Sequence, residues 1–439
     1  MKKRALISVS DKRNILEFAK ELSQLNYDIL ATGNTAKLLL ENNINCIEIS
    51  DYTSFPEIFS GRVKTLNPKI FGGILMRLNN PVDLTEAEAN NILPIEIVCV
   101  NLYPFPQVVK RNDISHEEKV ENIDIGGPSL IRAAAKNYEY VSVLTNPNQY
   151  AEFINQLKNG KINLQTRKEL AYQAFAYTSY YDTLIANYLE EKFHMPKSDL
   201  RLNYRSSINL RYGENPHQSA YLFGDSSDYF EIIHGREVSY NNIVDLTSAV
   251  DIISDLGNNA CVIVKHTNPC GAAIGTEPAD AFDLALSSDP VSAFGGIVAF
   301  NEEVDQRTAE KLNEIFLEIV CAPSYSESAL QVLQLKKNRR IIKIKKYPST
   351  DALQVKNIPG GILAQTRDNS RIDEIALKLV TDRDITPEEL SDLKFAWTIC
   401  KHTKSNAIVY AKNNRVLGVG AGQTSRIDSA KIGAEKAKQ

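Results

Sequence analysis

Apolar runs of strand length alternate with helical patterns through the first 200 residues of the chain. Buried-strand runs occupy residues 4–9, 28–31, 95–100 and 141–144. The first run is followed by apolar positions at helical spacing, and the second leads into a helical pattern at residues 36–40. Strands that alternate with helices in this way predict a parallel sheet with crossover helices.

A long helical pattern ends this first part. It spans residues 164–193, and a polar segment with one proline follows at residues 195–203. Such a segment is typical of a linker. We therefore place a domain boundary near residue 198, which divides the chain into regions 1–198 and 199–439.

The second part restarts the alternation of strands and helices and contains an internal echo. Residues 262–267 read VIVKHT and residues 398–403 read TICKHT, with the two Lys-His-Thr triplets 136 positions apart (401 − 265). Each triplet is predicted to follow a β-rich run and to precede a turn. The echo favours two similar subdomains, although a chance match of three residues is the alternative.

Composition places the chain among ordinary globular proteins. Its 439 residues suggest roughly three units at about 150 residues each. Hydrophobic residues make up 43% and charged residues 24%, which excludes disordered, collagenous and coiled-coil chains. The net charge of -4 disfavours a nucleic-acid binder, although local basic clusters remain compatible with a small phosphorylated substrate.

The sequence lacks the motifs of secreted proteins, membrane proteins and several cofactor-binding proteins. The apolar stretch at residues 5–9 is too short for a signal peptide, and no run of 18 apolar residues predicts a membrane span. Six scattered cysteines form no C-x-x-C pair, which indicates a reducing cytoplasm and no zinc ribbon. The P-loop and zinc-deaminase motifs are also absent. We expect a cytoplasmic protein with no metal, membrane or nucleic-acid partner.

Two strand-to-helix junctions in the first part are candidate anion sites. One is Ser10-Asp11-Lys12, and the other is the predicted loop 32–35, which reads Thr-Gly-Asn-Thr. Free N–H groups at a helix start attract phosphate, although each junction alone is more simply an N-cap. Because both follow strands of one parallel sheet, they are expected at the same edge, where ligands bind.

Two further segments of the first part carry candidate chemistry. In residues 61–66, Arg62 and Lys64 are predicted to share one side if the stretch is extended. In residues 121–137, a helix is predicted at 129–136, with Asp124 just outside its start. We expect a substrate oxygen to meet this helix start while Asp124 and Lys136 handle protons.

The second part contains a candidate proton-transfer pair. Lys265 and His266 end a buried run and enter a turn, and His is the side chain that shuttles protons near neutral pH. A Lys-His pair is more often a surface dipeptide. The loop 210–220 and the glycine-containing segments 292–296 and 418–422 are predicted loops that allow close backbone approach.

Taken together and in order, these segments resemble the AICAR transformylase/IMP cyclohydrolase family of purine biosynthesis. The resemblance covers nearly the whole chain, because long motifs occur throughout it. They are SVSDK (8–12), GRVKTL (61–66), NLYPF (101–105), IDIGGPSLIRAAAKN (123–137), LRYGENPHQ (210–218), VKHTNPCGAA (264–273), DPVSAFGGIVA (289–299), KSNAIVYA (404–411) and GVGAGQTSRIDSA (418–430).

The resemblance implies a fold and two consecutive reactions. It implies an α/β fold with a methylglyoxal-synthase-like N-terminal domain, followed by a transformylase domain of two cytidine-deaminase-like subdomains without zinc. Formyl transfer from 10-formyltetrahydrofolate to AICAR gives FAICAR, and cyclodehydration of FAICAR gives IMP. The family forms homodimers with transformylase sites at the subunit interface.

The resemblance also implies roles for individual residues. For formyl transfer, His266 removes a proton and Lys265 assists charge movement. For ring closure, Lys64 and Tyr103 stabilise an oxyanion, while Asp124 and Lys136 serve proton transfer. The implied substrate-binding residues are Ser10, Lys12, Thr32, Gly33, Thr35, Arg62, Thr65, Asn101 and Gly126 in the first part, and Arg211, Tyr212, Phe294, Gly295, Glu318 and Asn406 in the second.

The chain departs from the family pattern in several places. Asn34 stands where a second glycine is usual, and because Asn tolerates positive φ we expect the phosphate loop to survive. Asn67 and Phe71 stand where the family carries histidines. The family continues for several dozen residues beyond the segment where this chain ends, so we expect the cyclohydrolase to work and the transformylase to depend on that segment.

Three other functions stay open from the sequence. The chain is a cyclohydrolase with an incomplete transformylase half, a non-catalytic nucleotide-binding dimerisation protein, or a methylglyoxal synthase. The last leaves the second part unexplained, and a pure binder has no need for all six candidate catalytic residues.

Overall fold

The structure, a computed structural model, describes residues 3–205, 207–348 and 352–438. It divides into two compact units, Met1–Tyr204 (unit 1) and Arg205–Gln439 (unit 2). Residues 195–205 form no helix or strand, and the sequence-based boundary near residue 198 falls within this segment.

Unit 1 is built on a five-stranded sheet. The strands are β1 (Lys3–Val9), β2 (Tyr27–Ala31), β3 (Ile47–Glu48), β4 (Ile97–Asn101) and β5 (Ser142–Leu144). Their order is β3-β2-β1-β4-β5, and every neighbouring pair is parallel. The parallel sheet predicted from the alternating pattern is therefore confirmed.

Ten α-helices accompany this sheet among the described residues of unit 1. They are α1 (Ile15–Gln24), α2 (Gly33–Glu41), α3 (Ile49–Thr53), α4 (Pro68–Leu75), α5 (Pro81–Ala89), α6 (Phe105–Val108), α7 (His116–Glu121), α8 (Gly126–Lys136), α9 (Tyr150–Lys158) and α10 (Leu164–Lys192), with a 3₁₀ turn at Pro147–Gln149. All five residues of β4 are buried, because helices cover both faces of the sheet. The predicted helix at residues 129–136 begins three residues earlier than expected, at Gly126.

Unit 2 is built on a mixed eight-stranded sheet and two separate hairpins. Its strands are β6 (Ser207–Leu210), β7 (Ala220–Phe223), β8 (Phe230–His234), β9 (Ala260–Lys265), β10 (Asn268–Ile274), β11 (Ile297–Phe300), β12 (Ile319–Ala322), β13 (Arg340–Ile344), β14 (Leu353–Ile358), β15 (Gly361–Thr366), β16 (Ile408–Lys412) and β17 (Arg415–Gly420). The large sheet has the order β16-β17-β10-β9-β11-β12-β13-β8, and β6–β7 and β14–β15 pair separately.

The helices of unit 2 lie on both faces of this sheet. They are α11 (Tyr240–Asp255), α12 (Pro278–Leu286), α13 (Pro290–Ala293), α14 (Gln306–Asn313), α15 (Glu327–Leu333), α16 (Pro387–Lys401) and α17 (Arg426–Lys436), with a 3₁₀ turn at Ile372–Glu374. Along β9, Val262 and Val264 join the core beneath α11 and α16, whereas Cys261 and Ile263 join the core beneath α12 and α14. The strand reads as one apolar run because its alternating sides are both buried.

The Lys-His-Thr echo does not mark equivalent places in the fold. Lys265 ends strand β9, but Lys401 ends helix α16, so the prediction that the second triplet follows a β-rich run is wrong. A capping box between Thr386 and Glu389 starts α16, and its apolar positions are buried at helical spacing. The run Thr-Ile-Cys is too short for its β-branched residues to outweigh that helical context.

Two of the glycines predicted to form a loop at residues 418–422 lie in strand β17 instead. A Cβ at Gly418 would come within 2.2 Å of the Gly433 carbonyl oxygen in α17. The glycine allows a helix of the same unit to lie against the strand, so the close approach is made by protein backbone rather than by a ligand.

Candidate active sites

Asn101 shapes the loop that follows the central strand of unit 1. Strands β1, β2 and β4 end side by side at one edge of the sheet. The Asn101 Oδ1 atom accepts hydrogen bonds from the backbone N–H groups of Ser10 at 2.6 Å and Asp11 at 2.8 Å. Its Nδ2 atom donates to the Asp11 carbonyl at 3.1 Å. The first predicted junction is thus tied to the end of β4.

Lys12 brings a cation to the start of α2. Its Nζ atom donates to Thr35 Oγ1 at 2.6 Å and also to the Val9 carbonyl. Thr32, the N-cap residue of α2, shares a hydrogen bond of 2.9 Å with Ser8 Oγ. Burial lowers the pKa of the Lys12 ammonium group. The two predicted anion junctions therefore meet, with a partly buried cation between them.

The second junction differs in detail from its prediction. Helix α2 begins at Gly33, so Asn34 and Thr35 belong to its first turn rather than to a loop. The positive φ, 34°, falls on Gly33 and not on Asn34. The glycine that the chain retains therefore occupies the position that needs it, and Asn34 is an exposed helical residue.

Arg62 and Lys64 do not share one side as predicted. Three residues of positive φ, ending at Gly61, make a tight turn instead of an extended stretch. Arg62 extends to Glu121 at 3.1 Å in an exposed ion pair. Lys64 pairs with Glu57 at 3.2 Å, and its Nζ atom would lie 3.5 Å from a Cβ on Gly33. Only Lys64 joins the edge formed by α2.

Asp124 sits at the start of α8. Its Oδ1 atom accepts the Gly127 N–H at 2.8 Å, and its own N–H donates to Tyr181 Oη at 2.9 Å. Burial raises the pKa of the Asp124 carboxyl above its ordinary value, against the opposing effect of hydrogen bonds from the Gly127 and Tyr103 backbones. A carboxyl group that keeps its proton to higher pH is suited to general acid–base work.

Two more predicted residues adjoin this helix start. A Cβ on Gly126 would come within 2.9 Å of Thr65 Oγ1, which places Thr65 against the first turn of α8. Tyr103 follows β4 with 43% of its surface exposed and is available to a ligand.

The structure does not bring Lys136 to Asp124. Lys136 is the last residue of α8, whose 11 residues span about 15 Å at 1.5 Å per residue, and Asp124 precedes its first. The two residues therefore lie at opposite ends of α8 within one chain, and the shared role in proton transfer expected from the sequence stays a prediction. A linear order of residues in a motif conceals the length of the helix between them.

Lys136 instead borders a cavity of about 700 Å³ beside α4, α8 and α10. Phe71, one of the two departures from the family pattern, lies in the same wall. The other departure, Asn67, is the N-cap of α4 and accepts the Lys69 N–H at 2.9 Å. Asn67 has a local structural role here.

Lys265 in unit 2 meets a glycine turn. Because β9 and β11 are antiparallel, the end of β9 lies beside the segment that leads into β11. Lys265 Nζ donates to the Phe294 carbonyl at 2.5 Å. Gly295 has a φ of 69°, and a Cβ there would lie 3.2 Å from Lys265 Nζ. Glycine at this position permits both the turn and the approach of the ammonium group.

His266 lies in a strained two-residue turn between β9 and β10. His266 and Thr267 have positive φ angles of 49° and 63°. This region suits Gly and Asn, and a β-branched residue there is an outlier that costs on the order of 1–3 kcal/mol. The His266 side chain is exposed. Strain at an exposed imidazole is the pattern expected of a functional turn.

A second loop is attached to this turn. Asn268 Nδ2 donates to the His266 carbonyl at 3.0 Å, and Asn268 Oδ1 accepts the Lys404 N–H at 3.0 Å. Asn406, two residues further on, donates from its side chain to the carbonyls of Gln423 and Thr424, each at 3.0 Å. The structure therefore brings the Asn406 loop to the His266 turn, with the Asn406 amide donors engaged by backbone.

Glu318 and the Arg211 loop complete the predicted set. Glu318 pairs with the buried Arg340 at 2.7 Å, and its N–H donates to the Gly296 carbonyl at 3.0 Å. The Arg211 guanidinium lies 5.5 Å from the Tyr212 ring centroid. Glu318 thus adjoins the glycine turn. Hydrogen bonds give no direct link from Arg211 or Tyr212 to His266.

The second Lys-His pair is engaged by a carboxylate. Lys401 Nζ and His402 Nε2 both lie 2.8 Å from Asp255 Oδ2. Burial alone would raise the pKa of Asp255, but hydrogen bonds from His402 and Lys401 lower it to about 2. This pair is a structural ion cluster that joins α16 to α11.

Sequence reasoning missed Asp245 in α11, whose Oδ1 atom accepts the Thr267 N–H at 2.7 Å. None of the glycine- or histidine-containing motifs includes this helical carboxylate, so no sequence signal marks it. Among residues 3–205, 207–348 and 352–438, no group of three or more His, Cys, Asp or Glu side chains is arranged to hold a metal. Within the same ranges, no helix combines the length and apolar character needed to span a membrane.

Comparisons with known families match both parts of the chain. An MGS-like domain model matches residues 14–129, and an AICARFT/IMPCHase bienzyme model matches residues 134–436. These matches confirm the expected order of a methylglyoxal-synthase-like region followed by a transformylase region. The second match begins within α8, so it includes part of unit 1 as well as unit 2.

Full-length relatives are also similar. The chain is 46% identical to the bifunctional purine biosynthesis protein PurH of Persephonella marina, with 100% of this chain and 87% of that protein covered. The PurH of Bacillus cereus strain B4264 gives the same identity and coverage. A crystal structure of ForH covers 43% of this chain and 96% of its own at 34% identity, with a TM-score of 0.40.

Proposed function

Because the chain belongs to the AICARFT/IMPCHase bienzyme family, we propose that unit 2 transfers a formyl group to AICAR and that unit 1 closes the product to IMP. The bifunctional assignment rests on the family match and on the full-length relatives. We further propose 10-formyltetrahydrofolate as the formyl donor, a cytoplasmic location and a homodimer.

Formyl transfer is assigned to the β9–β10 turn. The 5-amino nitrogen of AICAR attacks the formyl carbon of the donor while His266 takes a proton from that nitrogen. The bond from the formyl carbon to N10 of the folate then breaks, and N10 receives a proton. The ammonium group of Lys265, held beside the Gly295 turn, stabilises the negative charge on the formyl oxygen. Proton transfer by a positioned histidine contributes about 10²–10⁴-fold to such a reaction.

The remaining residues of this proposed site bind the substrates. The glycine turn, the adjacent carboxylate and the loop attached through Asn268 are within the same part of unit 2. The proposed binding residues are Arg211, Tyr212, Phe294, Gly295, Glu318 and Asn406.

Ring closure is assigned to the carboxyl edge of the unit 1 sheet. The carboxamide nitrogen of FAICAR attacks its formyl carbon, and the resulting adduct loses water to give IMP. Lys64 and Tyr103 stabilise the oxyanion, and Asp124 transfers a proton. The raised pKa of Asp124 keeps this group protonated to a higher pH than an ordinary aspartate. Lys136 is the second residue proposed for proton transfer, although α8 separates it from Asp124 within one chain.

The nucleotide phosphate is proposed to bind at the two helix starts. Lys12 supplies a cation there, and free N–H groups of α2 are directed to the same place. The proposed binding residues of unit 1 are Ser10, Lys12, Thr32, Gly33, Thr35, Arg62, Thr65, Asn101 and Gly126. The contact of Lys12 with Thr35 is the single observation that carries this site, because it joins two junctions separated in sequence.

Separate assays of the two steps test the assignment. The proposal requires the unmodified chain to convert AICAR and 10-formyltetrahydrofolate to FAICAR, and to convert added FAICAR to IMP. Formyl transfer by this chain would contradict the sequence-based expectation that this step depends on a further C-terminal segment. Ring closure without formyl transfer would favour a cyclohydrolase with an incomplete second half. Nucleotide binding without either reaction would favour a non-catalytic binding protein, and methylglyoxal release from dihydroxyacetone phosphate would favour the third alternative.

A further inference from the structure

The hairpin that carries His266 has a structural counterpart in the same unit. Both α11–β9–β10–α12 and α16–β16–β17–α17 run helix, antiparallel hairpin, helix. Lys265 pairs with Asn268 across one two-residue turn, and Lys412 pairs with Arg415 across the other. The offset between these turns is 147 positions (412 − 265). This offset differs from the 136 positions that separate the two Lys-His-Thr triplets.

The two turns have the same backbone form. His266 and Thr267 have positive φ, and so do Asn413 and Asn414, at 57° and 50°. Positive φ at both central residues is the type I′ arrangement, which Asn fits readily. The first hairpin therefore holds histidine and threonine in a turn that its counterpart builds from asparagine.

An aspartate from the preceding helix holds each turn. The Thr267 N–H donates to Asp245 Oδ1 at 2.7 Å, and the Asn414 N–H donates to Asp392 Oδ1 at 2.7 Å. Asp245 is the sixth residue of α11 and Asp392 is the sixth residue of α16. The contact is thus a feature of the repeated module.

In the first module this contact has an additional consequence. Thr267 is a β-branched residue and is unsuited to positive φ, so the turn depends more on external support. Asp245 accepts the N–H of the residue directly after His266, while Asn268 Nδ2 donates to the His266 carbonyl at 3.0 Å. The direction of the imidazole depends on this backbone.

We propose that Asp245 is a positioning residue for formyl transfer, which holds the β9–β10 turn so that the His266 imidazole points to the substrate amine. The inference rests on the proposed role of His266. Asp245 acts through the Thr267 N–H and contacts no substrate.

Three variants test this role. Asp245→Leu removes the acceptor at similar size, Asp245→Asn keeps an acceptor oxygen, and Asp392→Leu makes the matched change in the other module. We expect Asp245→Leu to lower kcat for formyl transfer by roughly 10–100-fold, with KM for AICAR within about twofold, because small misplacement of a catalytic group has effects of this size. Asp245→Asn should restore most of kcat, and Asp392→Leu should keep it.

Hydrogen exchange supplies a second readout that does not depend on activity. Asp245→Leu should speed exchange of the Thr267 amide, and Asp392→Leu should speed exchange of the Asn414 amide. Ring closure by unit 1 should stay unchanged in all three variants. Unchanged kcat in Asp245→Leu, or an equal loss in Asp392→Leu, would overturn the positioning role.

A His266→Asn variant distinguishes this inference from the function beneath it. If that variant transfers formyl groups as fast as the unmodified chain, or if the unmodified chain transfers none, the proposed function fails and the positioning role fails with it. If His266→Asn is inactive and Asp245→Leu is fully active, only the positioning role fails.

Discussion

The β9–β10 and β16–β17 hairpins of unit 2 have the same backbone arrangement but differ in the residues at the turn. Each follows a helix whose sixth residue, an aspartate, accepts the N–H of the second turn residue at 2.7 Å. One turn contains Asn413 and Asn414, which tolerate positive φ, and the other contains His266 followed by Thr267, a β-branched residue that does not. Both hairpins supply a turn supported by an aspartate, and the residue unfavourable at positive φ stands directly after the histidine proposed for formyl transfer.

The two Lys-His pairs differ in a similar way. Lys401 and His402 share the Asp255 carboxylate, whereas His266 is exposed at its turn and Lys265 contacts a backbone carbonyl. Because the Asp255 carboxylate binds both Lys401 and His402, this pair contributes to the packing between α11 and α16. Identical residue triplets therefore have unlike roles, because their surroundings differ.

The largest expected effect is on the rate of formyl transfer, which should depend on the residue in the His266 turn and not on the residue in the Asn413 turn. His266→Asn keeps a residue suited to positive φ and removes the imidazole, so formyl transfer should fall by about 10²–10⁴-fold, the contribution of a general base. Asn413→His, the matched exchange in the other turn, should leave the rate unchanged. Steady-state assays of FAICAR formation measure both, and a loss in Asn413→His equal to that in His266→Asn would contradict the distinction.

An intermediate effect is expected from the ion cluster at Asp255. Its pKa falls from 3.8 to about 2 on folding, so the ionised form stabilises the fold fully above the unfolded value. That contribution, about 2 kcal/mol, should be lost as the pH falls from about 4 through about 2. Asp255→Asn should remove this pH dependence.

The fluorescence of Trp397 follows this change, because the chain has one tryptophan and it lies in α16. Unfolding in denaturant at pH 5 and pH 2.5 compares the unmodified chain with Asp255→Asn. Asp228→Asn, an exposed change in the same unit, is the control and should keep the pH dependence. Equal pH dependence in Asp255→Asn and the unmodified chain would show that the cluster does not stabilise unit 2.

The smallest expected effect concerns backbone strain. Thr267→Asn places in the first turn the residue that its counterpart uses, and should raise the free energy of unfolding by about 1 kcal/mol. Asn414→Thr should lower it by a similar amount. Trp397 fluorescence in a denaturant series measures both, and a destabilised Thr267→Asn variant would indicate that the threonine hydroxyl contributes more than the strain costs.

Much of the fold could be predicted from residue patterns, because long periodic segments determine element type. The parallel sheet of unit 1 and the long helix at residues 164–192 follow from apolar runs and helical periodicity that are compatible with only one type of element. The segment TICKHT at residues 398–403 was predicted incorrectly, because six residues are too few to separate a strand from the end of a helix.

The sites were predictable in part. Lys12 and Thr35 were expected at one sheet edge from the parallel topology, and they are in contact. The divergence of Arg62 from Lys64 depends on a tight turn that spacing alone does not reveal. No motif contains Asp245, and its contact with the Thr267 N–H forms only when α11 and the β9–β10 hairpin come together in the fold.

The central claim is that each unit carries one of the two reactions. Its most direct test measures both steps in Lys64→Ala and in His266→Ala. The account predicts that Lys64→Ala loses ring closure and keeps formyl transfer, and that His266→Ala does the reverse. Equal impairment of both steps by both substitutions would contradict it.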